Sequence, residues 1–287
     1  MIHLTVDDFL DSFDRSDSYS AKSGYHAFEA FSNGDYKSFR ELADRFSVSY
    51  PTVRQWNQIK PLTGKKPIPS YVRKVEVLQE LDLLPLDDSK SLFPFFKELY
   101  LYTLFSGNIY QKNNNTYDVN LSNSFDKLEL LGKKLRDVFS LDYYIKNRDN
   151  ANVLLYSSDE SGVASALNQL LVAVGCPVGA KKEQVVSIPD FVDVDSLVYY
   201  GFKLRGHCNP PPILNTFRLW SSPEDVATRT LDGFKRKLNG LPFNFDFQLF
   251  DDNRRVIGDK TPTLKVPVNS RVYLSDFLNN YKSVLPV

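Results

Sequence analysis

The sequence predicts an α+β protein, in which an all-helical N-terminal domain precedes two copies of one αββαββα unit. Three observations carry that expectation. Between residues 36 and 82 the apolar residues fall at helical spacing. From residue 92 onward helix-like and strand-like stretches follow in a fixed order, and the order recurs after residue 193. At Ser106-Gly107 and again at Arg205-Gly206, about one hundred residues apart, a helix-like run hands over to a strand at a glycine. The expected domains are 1–88, 89–188 and 189–287.

A chain of 287 residues is long enough for such compact units, each with a core. Lys plus Arg and Asp plus Glu number 35 each, so no overall basicity announces a nucleic-acid partner. Locally the charges separate. Residues 1–35 carry Asp7, Asp8, Asp11, Asp14, Asp17, Glu29 and Asp35 against Arg15 and Lys22. Residues 36–75 carry Lys37, Arg40, Arg45, Arg54, Lys60, Lys65, Lys66, Arg73 and Lys74 against Glu41 and Asp44. Such a block is the footprint of a phosphate-facing surface, or equally of a solvated helix face. Cys176 and Cys208 are too few for a disulfide framework and have no metal-ligand neighbours, so they read as core thiols of a cytoplasmic protein. No apolar stretch approaches the roughly 18 residues of a membrane span, and no membrane, metal or cofactor is expected.

Within the basic block, Phe39, Leu42, Ala43 and Phe46 form one helical stripe. The pattern breaks at Ser47-Val48-Ser49 and restarts with Pro51 in the first turn of a second helix, whose buried side is Val53 and Trp56 with Val48 from the turn. This stretch resembles the helix-turn-helix of transcription regulators, whose second helix enters the major groove. On that resemblance Ser49, Tyr50, Thr52, Arg54, Gln55 and Asn57 are the DNA-binding candidates, Gln and Asn suiting adenine, Arg guanine, and the hydroxyls phosphate. The basic loop PLTGKKPIPS adds Lys65 and Lys66 as backbone contacts. A closing helix packs Val72, Val75, Leu78 and Leu81, and Pro85 marks a boundary.

The first repeat reads as helix 93–106, strands 108–113 and 116–122, helix 124–139, strands 141–147 and 152–158, and helix 160–174. After the linker GCPVGAKKEQVVSIPDF come helix 194–206, one or two strands over 212–221, helix 223–238, strands 242–250 and 255–267, and helix 270–283. This order, the linker and the runs LYLYTLFSGNIY and VYYGFKLRGHCN resemble the single-chain LAGLIDADG homing endonucleases over residues 92–287. The resemblance implies two motif helices packed at a pseudo-two-fold axis, each ending in a glycine (Gly107, Gly206), and antiparallel strands forming a saddle over the DNA major groove.

One departure bears on function. The resemblance implies an acid before each motif glycine, the pair binding divalent metals that activate water. Here those places hold Ser106 and Arg205, a neutral hydroxyl and a cation. The nearest acids, Glu98, Asp193 and Asp195, belong to the far ends of the two helices, roughly 10–15 Å away. No catalytic residue is therefore assigned. His3, His26 and His207 lack a general-base partner nearby in sequence. The saddle would keep Lys112, Asn114, Lys146, Arg148, Arg218, Arg254 and Arg255 for the groove, with Lys181 and Lys182 as phosphate clamps. The reading is a sequence-specific binder of double-stranded DNA, monomeric or dimeric, that regulates transcription. It resembles in parts the sporulation regulators that fuse the same modules in the opposite order. The alternatives are a metal-dependent homing endonuclease, a group I intron maturase binding structured RNA, or a saddle serving protein contact only.

Overall fold

The computed structural model describes residues 1–13, 19–58, 66–148, 151–157, 162–208, 214–239, 245–251, 258–267 and 270–286. The N-terminal part comprises β1 (Ile2–Leu4), α1 (Val6–Asp11), α2 (Ala21–Asn33), α3 (Phe39–Phe46), α4 (Tyr50–Trp56), α5 (Ser70–Glu80) and β2 (Leu86–Asp87). Polar caps set its helix starts. Thr5 and Asp8 form a reciprocal capping box on α1, Ser20 and Ser38 cap α2 and α3, and Ser49 caps α4 ahead of Pro51.

These helices divide their apolar residues between two cores. Leu42, Ala43, Val48, Val53 and Trp56 pack with Ala27 and Ala30 of α2 into a small cluster of their own, so the stripe read from the sequence does face inward. By contrast Phe9 and Leu10 of α1, Ala21 and Tyr25 of α2, and Val72, Val75 and Leu78 of α5 enter the large core that fills the rest of the chain. Beyond Pro85 the chain stays with the N-terminus, because β2 pairs antiparallel with β1, Leu4 opposite Leu86. A buried cation helps hold the seam. Lys74 Nζ of α5 donates to Asn115 O (2.5 Å) and Gln169 Oε1 (3.2 Å), while Gln169 Nε2 donates to Ser12 Oγ (3.0 Å).

The first repeat follows as α6 (Phe93–Ser106), β3 (Gly107–Asn113), β4 (Thr116–Asn123), α7 (Phe125–Phe139), β5 (Asp142–Arg148), β6 (Ala151–Ser157) and α8 (Val163–Ala173). The linker holds one 3-10 turn, Lys181–Glu183. The second repeat is α9 (Val194–Arg205), β7 (Gly206–Cys208), β8 (Leu214–Arg218), β9 (Ser222–Pro223), α10 (Glu224–Lys237), β10 (Asp246–Asp251), β11 (Asp259–Lys265) and α11 (Arg271–Asn280). The strand orders are β3-β4-β6-β5 and β7-β8-β11-β10. Register matches as well as order. Gly107–Leu121–Leu154–Ile145 form one ladder across the first sheet, and Gly206–Phe217–Leu264–Phe247 form its counterpart in the second. The fold is thus a duplicated αββαββα arrangement in which α6 and α9 pack against each other.

Those helices, α6 and α9, lie side by side at the centre. Every residue of α6 from Glu98 to Phe105 is buried, as is Ser196 to Phe202 of α9. A helix apolar on all sides is stable only inside a core. Tyr200 donates to Glu98 Oε2 (2.6 Å) toward one end of the pair, and Arg205 Nε donates to Phe105 O (2.7 Å) at the other.

The glycine after α6 answers to space rather than to backbone handedness. Gly107 has φ −120° and ψ 176°, which any residue adopts. A Cβ there would stand 2.8 Å from Leu121 Cδ2 and 3.0 Å from Asn120 O and Thr103 Cα. Gly206 is likewise extended, with φ −72°. Gly107→Val should therefore lower unfolding stability by about 1–3 kcal/mol through overpacking, read as a reduced urea midpoint.

Candidate nucleic-acid interface

Residues directly opposite across an antiparallel ladder share a face of the sheet. Leu121, Leu154 and Ile145 pack inward on the helices, so their strand neighbours point the other way. On this open face the register places Asn108 and Tyr110 of β3, Asp118, Asn120 and Ser122 of β4, Val153 and Leu155 of β6, and Tyr144, Lys146 and Arg148 of β5, while Lys112 sits at a register shift in β3 and reaches this face through Asp118. Lys112 of β3 and Lys146 and Arg148 of β5 thus share one surface. Lys112 also pairs with Asp118 (3.4 Å), and Lys146 Nζ lies 4.8 Å from the Tyr144 ring. Asn114 is exposed in the β3–β4 turn.

In the second sheet the inward ladder of Phe217, Leu264 and Phe247 leaves His207, Arg218, Lys265, Gln248 and Phe250 on the open side. The Arg218 guanidinium stands 5.9 Å from the Phe250 ring. His207 has its pKa lowered by partial burial and by the adjacent Arg218 and Arg205 charges, which favours the neutral ring. Arg254, Arg255 and Lys65 lie outside the described residues.

At the C-termini of α6 and α9, where the resemblance implies two metal-binding acids, cations and a spent hydroxyl stand instead. Ser106 Oγ donates to Ser122 O, and Arg205 reaches across to Phe105 O. Lys181 was expected at the DNA phosphates and is placed otherwise. It is 6% exposed, and its Nζ donates to Thr103 O (2.8 Å), Leu104 O (2.5 Å) and Gly107 O (2.5 Å). Three donors meet three carbonyls, so this lysine caps α6 and its charge offsets the negative end of the helix dipole. Lys182 is exposed beside it. A divalent cation does not fit this donor set of hydroxyl, guanidinium and ammonium. Among the described residues no three His, Cys, Asp or Glu side chains gather as metal ligands. The acids stay at the far end as read from the sequence. Glu98 is buried and accepts from Tyr200 and from the backbone N–H of Val284 and Leu285, while Asp193 caps α9 and pairs with Lys97. Burial pushes the Glu98 pKa up despite those three donors.

In the helical part, Tyr50, Arg54, Gln55 and Asn57 are exposed and Thr52 is half-buried. Ser49 is occupied as the α4 cap, its Oγ receiving the Thr52 N–H (3.3 Å) and lying 2.7 Å from Thr52 Oγ1. Lys66 is exposed, its Nζ 5.8 Å from the Phe31 ring.

Sequence reading missed Asn108, Asn120, Ser122, Val153, Leu155, His207, Lys265 and Gln248 on the open faces. Their signal was strand alternation, which names a face only once one inward residue per strand is known.

Burial pushes the pKa of Lys181 down to about 8, with the Arg205 charge adding to the shift, and burial alone takes Lys74 to about 8. The sign of the linkage follows from these depressed values. Below pH 8 folded and unfolded chains both hold the proton; between 8 and about 10 the unfolded lysine keeps a proton that the folded one releases. Unfolding free energy should thus rise with pH across that window, by up to about 3 kcal/mol per lysine. Urea titrations at pH 7, 8, 9 and 10 should show this slope, reduced in Lys181→Met.

No protein-family model and no curated protein sequence matches this chain. Solved structures do resemble it. It is similar to I-DmoI in complex with its target DNA, at 14% identity over 66% of this chain and 97% of that one, TM-score 0.44. It is also similar to the N-terminal LAGLIDADG domain of DUF199/WhiA, at 14% identity over 73% and 93%, TM-score 0.35. A third is the homing endonuclease I-WcaI bound to its DNA recognition sequence, at 14% identity over 70% and 93%, TM-score 0.39.

Proposed function

We propose that this chain is a sequence-specific double-stranded DNA-binding protein, a transcription regulator that grips its site without cutting it. The observation that carries the reading is the pair of open sheet faces in matched register, which present Lys112, Lys146, Arg148 and Arg218 while Lys181 and Arg205 occupy the motif-helix ends. Cations on strands either hold a duplex by its phosphates or meet guanine edges, and strand side chains between them reach the other base edges in the major groove. Arg205 then places a fixed positive charge near the central phosphates, where a metal-dependent nuclease would hold its ions. The α3–α4 pair, with Arg54 and Gln55 exposed along α4, supplies a second reading element in the manner of a helix-turn-helix. The chain works as one polypeptide over the sheets, and the paired half-sites typical of helix-turn-helix proteins would need a dimer. Structured RNA is the second reading, favoured by the exposed rings of Tyr110, Tyr144 and Phe250 on the same faces, which could stack on unpaired bases.

Selection of bound duplexes, followed by filter binding against folded RNA competitors, tests the choice. Duplex DNA should be retained at higher salt than RNA, with no magnesium- or manganese-dependent cleavage and no change of affinity on chelation. Cutting by the unmodified protein would overturn the proposal.

Within the selected site the two modes of contact should separate. Gln55→Ala should cost about 1–3 kcal/mol on the preferred sequence and little on random DNA. Lys146→Ala should weaken both alike and reduce the slope of log affinity against log salt by about one.

A further inference from the structure

The two open faces share a register but not a chemistry. Equivalent positions follow from the matched ladders: Asn108 corresponds to His207, Ser122 to Arg218, and Leu155 to Lys265. In the first sheet Asn108 and Asn120 lie beside an apolar strip of Val153, Leu155 and Tyr144, with Leu155 directly between Asn120 and Tyr144. In the second sheet Thr216 and Thr263, equivalent to Asn120 and Val153, are 4% and 1% exposed, which leaves His207, Arg218 and Lys265 as the inner groups, with Asp246 opposite Lys265 in the place of Tyr144.

Base edges in the major groove distinguish these two sets. An asparagine amide matches the N6 donor and N7 acceptor of adenine, and apolar side chains meet the 5-methyl of thymine; arginine and lysine match the O6 and N7 acceptors of guanine. We propose that the two repeats read half-sites of opposite composition, the first repeat an A·T-rich half through Asn108, Asn120, Val153 and Leu155, the second a guanine-containing half through Arg218 and Lys265. The assignment rests on the DNA-binding reading above. Its consequence is a non-palindromic site, because Ser122 and Arg218, or Leu155 and Lys265, cannot present the same groups to symmetry-related bases. Orientation of the protein on its site is then set by the saddle itself.

The test uses the full-length chain and a random duplex pool. The selected sequences should contain one A·T-rich block and one block with preferred guanines, and any further block lost in Gln55→Ala belongs to α4. Replacing thymine by uracil in the first block removes only methyl groups and should weaken binding about fourfold for each methyl that the apolar strip covers. The same replacement in the second block should change nothing. Arg218→Ala should relax the guanine preference and leave the A·T block intact, while Leu155→Lys should move the A·T block toward guanine. If Leu155→Lys does not fold, the uracil and Arg218 arms still decide. Blocks of like composition, or uracil tolerated throughout, overturn the assignment alone. Failure to retain any duplex at any salt concentration overturns the DNA reading and this assignment together.

Discussion

α6 and α9 are sheathed in apolar side chains on every side, and the surroundings that satisfy both are each other and the sheets that begin at their own C-termini. That packing sets the relation between the two repeats. Each strand pair starts where a motif helix stops, so the line along which the helices touch also determines where the two sheets meet. Crowding at Gly107 ties the first sheet to its helix, since the backbone of β4 and the side chain of Leu121 leave no room for a Cβ. The ends of the helix pair are pinned by polar bonds, Glu98 with Tyr200 toward one end and Arg205 with Phe105 at the other.

Positive charge gathers at the C-termini of the two motif helices. A carboxylate pair there would need cations from solution to relieve its repulsion. Here the positive charge is built in: Lys181 meets the last carbonyls of α6, and Arg205 crosses between the helices. Between them these two side chains meet carbonyls that a buried helix end must satisfy, Leu104 O and Phe105 O. The C-terminal segment completes the opposite end, where the Val284 and Leu285 N–H groups close on Glu98 and Tyr281 stacks on Tyr199 with ring centroids 4.3 Å apart. A buried acid is thereby held by donors at the end remote from the open sheet faces.

The N-terminal helices show a division of labour. Val48, Val53 and Trp56 commit α4 to a small core with α2, which leaves Arg54 and Gln55 outward. α1 and α5 belong to the large core, and Lys74, Gln169 and Ser12 form a polar link between them and α8. The α3–α4 pair is therefore carried on a base continuous with the first repeat.

Local pattern determined a good deal of this by itself. Helical stripes, Gly107 and Gly206, and the repeated order of elements were legible because apolar periodicity and turn residues act over a few neighbours. The inward stripe of Leu42, Ala43, Val53 and Trp56 and the outward pairing of Lys146 with Arg148 were read from period alone. Other features waited for tertiary structure. β1 and β2 are too short to carry a signal and exist because residues more than 80 apart pair. Lys181 reads as an exposed basic residue in sequence, and its role as a cap of α6 depends on carbonyls 74 to 78 residues earlier. Strand alternation names two faces without saying which one is open; that was decided only when Leu121, Leu154 and Phe217 met the motif helices, because burial chooses the face and burial is a property of the assembled core.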